Sequence, residues 1–205
     1  DYFSVEDLWA YAQGERATTG VLAYFKEIIE KNKGRLGTSL SPNTQKVYKS
    51  TLRHLEAFIK NRIKGTDINL KALTIAHIED FRNYLLTHCN RNTANKYLKT
   101  LRAVLNTAIK EELLYKNPFK YVRLSAGQYD RSFLDQDELN RLLEVKLTIP
   151  ALILAQEFMI VSCFTGMHYS DIVSLKPENV VEKNGRTFIS KKRVKTEQPF
   201  LVPLF

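Results

Sequence analysis

Apolar residues recur at helical spacing along most of the chain. Val21, Leu22, Phe25, Ile28 and Ile29 form one stripe and predict a helix over 21–33. Ser41-Pro42 is a helix start, and Tyr48, Leu52, Leu55 and Ile59 carry the stripe to residue 61. Gly65 and Asp67 mark a turn. Ile75, Ile78, Phe81 and Leu85 predict a third helix over 74–88. Ala94, Leu98, Leu101, Leu105 and Ala108 predict a fourth over 92–114, which Asn117-Pro118 stops. Asp135 with Glu138 makes a capping-box start for a helix over 135–145. A near-continuous apolar run, Ala151 to Phe164, predicts a helix over 150–165. Gly166 breaks that run, and a short helix follows over 169–175. Pattern alone reads this pair as two buried helices joined by a glycine turn.

Beyond Pro177 the spacing shortens. Asn184-Gly185 is a two-residue hairpin turn joining a strand near Val180 to one across 187–190. Lys191 to Thr196 makes a second, basic turn, and Phe200 to Val202 a third strand. A small antiparallel sheet between 179 and 203 is therefore expected. Residues 1–20, where Ser4 and Asp7 cap a short helix through Trp9 and Tyr11, read as a linker segment. The remainder divides into a helical domain over 21–122, a linker over 123–132 and a second domain over 133–205.

Charge sharpens this division. The formal net charge is +9 over 205 residues. Residues 1–125 hold 21 Lys and Arg against 12 Asp and Glu, and residues 126–205 hold 10 against 10. The excess belongs to the helical domain. Such a surface suits a polyanion through counterion release, or is simply a solvated basic surface. Two cysteines, Cys89 and Cys163, have no histidine clusters beside them and read as free thiols in a reducing compartment. The apolar run from Ala151 is too short to span a bilayer and contains Gln156 and Glu157, so no membrane partner is expected.

Two helices place their cations opposite the apolar stripe. Lys46, Lys49, Arg53 and Lys60 share one side of the second helix. Arg91, Asn92, Asn95, Lys96, Lys99, Arg102 and Asn106 line the fourth. Asn and Arg can read base edges, while Lys and Arg neutralise phosphate. Glu79 and Asp80 make the third helix a poor DNA-facing element. The predicted DNA-binding set is Lys46, Lys49, Arg53, Arg91, Asn92, Asn95, Lys96, Lys99 and Arg102, with Lys46, Lys49, Arg53, Asn95, Lys96 and Lys99 expected on one exposed concave surface.

The segment Thr165-Gly-Met-His-Tyr-Ser-Asp-Ile-Val-Ser-Leu175 resembles the first catalytic box of the tyrosine recombinases (phage integrase family). That box runs Thr-Gly-any-Arg, two residues, an acid, and a Leu four residues later. Thr165, Gly166, Asp171 and Leu175 fit; His168 stands where the family has its catalytic arginine. Downstream, Lys195 precedes Val202-Pro203-Leu204 by seven residues, the spacing of the family's hairpin lysine and following strand. The basic helices resemble the family's core-binding domain.

The resemblance implies a mainly α fold. A four-helix core-binding (SAM-like) domain is followed by the first, α+β half of a catalytic domain with its small antiparallel sheet. It implies a site-specific recombinase or integrase of a mobile genetic element, acting through a phosphotyrosine intermediate without metal or nucleotide cofactor. Double-stranded DNA and other recombinase protomers are the implied partners, in a bacterial cytoplasm. Lys195 sits at the general-acid position and His168 at the clamp position. The family's later box and tyrosine would fall beyond Phe205, so the chain reads as a fragment that binds DNA without cutting it. Two other readings stand beside this one: a DNA-binding protein of the same fold that has lost catalysis, and a basic helical module that binds an acidic protein.

Overall fold

The computed structural model describes residues 19–125, 127 and 132–204. The chain divides into two compact units between Tyr129 and Asp130. The first holds α1 (Val21–Lys33), α2 (Pro42–Phe58), α3 (Ile75–His88) and α4 (Arg91–Lys110). The second holds α5 (Gln136–Glu144), α6 (Pro150–Thr165), α7 (Tyr169–Val173) and strands β1 (Val180–Lys183), β2 (Arg186–Lys192) and β3 (Pro199–Pro203). The fold is mainly helical with a small antiparallel sheet, as the pattern predicts. The helix expected in the first twenty residues lies outside the described residues, apart from Thr19 and Gly20. Both are held by backbone bonds: Leu70 N donates to Thr19 O at 3.1 Å and Tyr24 N to Gly20 O at 2.9 Å.

The apolar stripes of α1 to α4 converge on one core. Tyr24, Phe25, Ile59, Phe81, Leu98, Leu101 and Leu105 are essentially sealed within it. Phe58 packs on Phe81 at 5.3 Å between ring centroids, and Phe25 meets Tyr48 edge-on at 6.1 Å. Ser41 caps α2 by accepting from Thr44 N at 3.1 Å, and Thr74 caps α3. Two helix ends differ from the sequence reading. α2 loosens into a π-helical turn over Ile59–Ile63, and Lys64 stops it in a left-handed conformation, φ 56°. α4 ends at Lys110, four residues before the expected stop. Glu112 turns left-handed (φ 59°), so Leu114 can fold back into the core.

The start of α1 has no side-chain cap of its own. Asp67 supplies one from 45 residues away, accepting from Leu22 N at 2.9 Å and Ala23 N at 3.1 Å. It also accepts from Ile68 N at 2.7 Å. Gly20 permits this approach, because a Cβ there would lie 2.0 Å from Asp67 Oδ2.

In the second unit, Asp135 and Glu138 form the expected capping box at 2.8 and 3.0 Å. Gln156 on α6 donates to Leu142 O at 2.6 Å and Val145 O at 3.0 Å, closing the end of α5. The strands run in the order β1-β2-β3, with Val180 opposite Ile189 and Ile189 opposite Val202. Asn184 (φ 53°) and Gly185 (φ 69°) make the primed turn that a two-residue hairpin needs. One expectation fails. α6 contains no buried residue, and Leu152, Leu154, Met159 and Phe164 are exposed. Its neighbours, α5 and the five-residue α7, cover too little of it to seal an apolar helix.

Asp67→Ala strips three backbone N–H groups of their acceptor, two of them at the α1 terminus. It is expected to destabilise the first unit by about 1–2 kcal/mol. Urea unfolding followed by circular dichroism measures this; an unchanged midpoint would remove Asp67 from the fold's essential contacts.

Candidate nucleic-acid interface and catalytic box

The predicted DNA-binding residues separate into two groups. Lys46, Lys49 and Arg53 on α2, and Arg91, Lys96 and Lys99 on α4, are all exposed. None of the six has an acidic partner among the described residues. By contrast Lys26, Lys31, Lys33 and Arg82 elsewhere in this unit are all ion-paired. The helices bearing the free cations meet at a seam where the His54 ring lies 5.0 Å from Tyr97. Arg53 directly precedes the first of these residues and Lys96 the second. Burial and the neighbouring Arg53 and His88 hold the His54 imidazole below its ordinary pKa.

The other group holds the chain together. Asn95 is only 9% exposed, and its amide donates to Ser125 O at 2.7 Å. It is not a base reader on an open face. Arg102 donates to Phe119 O at 3.1 Å and Val122 O at 2.8 Å, with its guanidinium over the Phe119 ring. Asn106 accepts from Asn117 Nδ2 at 2.7 Å, and Asn92 accepts from Gly127 N at 3.1 Å. These polar residues grip the segment that leaves α4. Its Phe119 and Val122 are buried, and Leu124 of the expected linker packs against the same core. Helical periodicity could not distinguish them from solvent-facing residues, because their partners lie 11 to 35 positions downstream.

The box in the second unit is built by short-range chemistry. Thr165 Oγ1 donates back to Val161 O and accepts from Met167 N at 3.3 Å, closing the end of α6. Gly166 follows in the left-handed region, φ 63°. Met167 is buried, and His168 stands extended as the N-cap position of α7, exposed and making no side-chain cap.

Asp171 ties this box to the basic turn. It is 2% exposed and its Oδ1 accepts from Val194 N at 2.8 Å. Lys191 adds a second tie, donating from Nζ to Ser174 Oγ at 2.6 Å, to Ser174 O, and to Asp171 O at 3.4 Å. The last two oxygens belong to the end of α7, where a cation is favourable. Lys195, next to Val194, is exposed. The segment bearing His168 and the turn bearing Lys195 are thus fastened together. Sequence reasoning singled out Asp171 but missed Lys191, whose role depends on a partner 17 residues away. Asp171→Ala is expected to speed hydrogen exchange at the Val194 amide by about tenfold or more, since a hydrogen bond to a charged acceptor contributes about 1.5–3 kcal/mol. Exchange-detected NMR reads this directly, and an unaltered rate would show that the turn holds itself.

Residues 20–127 match the family described as the phage integrase SAM-like domain. No curated protein sequence matches the chain. Among solved structures, a lambda integrase dimer bound to a COC′ core site is similar, with a TM-score of 0.72 and 18% identity over 96% of this chain and 51% of that one. The Tn1549 transposon integrase in complex with a circular intermediate DNA gives 0.65 and 14%, over 90% and 57%. The XerH site-specific recombinase bound to a palindromic difH substrate gives 0.58 and 18%, over 88% and 52%. The chain spans about half the length of these relatives. With the SAM-like domain covering more than half of its residues and both of its units following the integrase fold, the chain belongs to the phage integrase (tyrosine recombinase) family.

Proposed function

We propose that this chain binds double-stranded DNA through α2 and α4 as part of a site-specific recombinase of a mobile element. The observation that carries the reading is the set of six exposed, unpaired cations on the two helices. The circular intermediate DNA held by the Tn1549 integrase, the COC′ core site held by lambda integrase and the difH substrate held by XerH support the same partner. Lys46, Lys49, Arg53, Arg91, Lys96 and Lys99 neutralise phosphates. Asn92 retains an exposed amide at the start of α4, beside Arg91. Asn95 and Arg102 serve the interface indirectly, by holding the chain that leaves α4.

In the whole protein, a tyrosine attacks the scissile phosphate and forms a phosphotyrosyl link, and the 5′ oxygen leaves with a proton. Lys195 is suited to donate that proton, because its turn is anchored through Val194 while its side chain stays in solvent. His168 stands at the clamp position. An imidazole offers at most two donors, where an arginine presents a forked guanidinium with five. This substitution is the specific observation favouring a second reading, a DNA-binding protein of the same fold with weakened or lost catalysis.

Lys96→Ala and Lys99→Ala are each expected to weaken duplex binding for all sequences alike and to lower the salt slope by about one. Fluorescence anisotropy across a salt series measures both; unchanged affinity would exclude α4 from the interface. In a chain that carries the nucleophile, His168→Arg is expected to raise cleavage of a suicide substrate, up to ~10²–10³-fold. Lys195→Ala is expected to lower cleavage with affinity nearly intact. Equal cleavage by the histidine and arginine forms would favour the second reading.

A further inference from the structure

A concave surface lies where α3 begins and the chain leaves α4. A groove of about 350 Å³ is lined there by Lys71, Leu73, Ile75, Tyr115, Lys116 and Tyr121, with no acidic residue among the described lining. Tyr115 is 94% exposed and Tyr121 is 65% exposed. Lys116 and Lys120 hold their ammonium groups 5.9 and 5.5 Å from the Tyr121 ring centre. None of these lysines is ion-paired among the described residues. At 1.5 Å per residue, Lys96 and the end of α4 are separated by about 20 Å, so this surface is distinct from the basic ridge near the seam.

The lining selects its occupant. A duplex backbone is a polar ridge, and seated here it would leave the carbon surface of Ile75 and Tyr115 wet. An apolar side chain flanked by carboxylates would satisfy both the carbon floor and the lysine rim. The chain carries such a segment, Phe133-Leu-Asp-Gln-Asp-Glu138. Phe133 is 87% exposed. Asp135, Asp137 and Glu138 follow within five residues of it. Asp135 and Glu138 close the capping box of α5, and Asp137 is exposed with no ion-pair partner among the described residues. The segment thus offers one aromatic anchor with an acidic flank to a groove rimmed by lysine.

We propose that this groove docks the Phe133–Glu138 segment of a second copy of the chain. Each copy carries both halves of the contact, so it can pass from copy to copy. The contact is small, so free copies associate weakly and copies held side by side gain from their high effective concentration. It needs no DNA and stands apart from the reading of α2 and α4.

Sedimentation velocity of the full chain without DNA, from micromolar to millimolar concentration, tests it. Reversible association that salt weakens is expected. Lys116→Glu and Phe133→Ala should each weaken it by about tenfold or more. Mixing the Lys116→Glu chain with an Asp137→Lys chain should restore association, since the altered groove then meets the altered segment. Both positions are exposed, and thermal melts confirm that the variants fold. Absence of association in the unaltered chain would overturn the proposal, as would association indifferent to both substitutions. So would a Lys116→Glu chain that associates normally but loses tenfold in duplex affinity, which would make the groove a DNA contact.

Discussion

One sealed carboxylate organises the second unit. Asp171 has almost no access to water, and its charge is tolerable there because a backbone N–H from the basic turn meets it. That bond joins two stretches with no sequence relationship: a glycine break between helices and a turn crowded with lysine and arginine. The turn gathers Lys191, Lys192, Arg193 and Lys195, and its own backbone bonds, Arg193 N to Gln198 O and Glu197 N to Arg193 O at 2.9 Å each, close it beside that joint. Lys191 reinforces the joint from the opposite direction, moving one of the four cations onto the carbonyl end of α7. What remains free at the tip is Lys195, and what remains free at the box is His168.

The first unit follows the same logic with different chemistry. Its helices are amphipathic enough to find one core, but their ends are finished by distant residues. Asp67 closes the start of α1, and Arg102 with Asn95 fastens the chain leaving α4. These polar groups free the lysines around them from structural duty. The frame's polar contacts are thus made within the unit, although Arg102 Nε and Gln45 Oε1 are buried with no hydrogen-bond partner among the described residues.

Elements set by local periodicity and caps were legible in the sequence. The Val21–Lys33 and Pro150–Thr165 helices begin and end where the pattern places them, and the Asn184-Gly185 hairpin and the left-handed Gly166 follow from residue type alone. Helix ends that depend on a lysine or glutamate adopting positive φ were not legible, because those residues carry no such preference. Nor were the roles of Asn95 and Arg102. On a helical wheel both sit on the polar side, and only the returning segment with Phe119 and Ser125 covers them. The expectation that α6 is buried misread hydrophobicity as location; composition says that a helix seeks cover, not that cover is at hand.

The openness of α6 bears on how the two units respond to heat. The first exposes a large aromatic and aliphatic interior on unfolding, whereas the apolar side chains sealed in the second are few, Met167 and Ile189 among them. Hydration of newly exposed carbon is what gives unfolding its heat-capacity increment. Per residue, the second unit's increment is therefore the smaller and its stability curve the flatter. Cooling or heating shifts the stability of the first unit more steeply than that of the second.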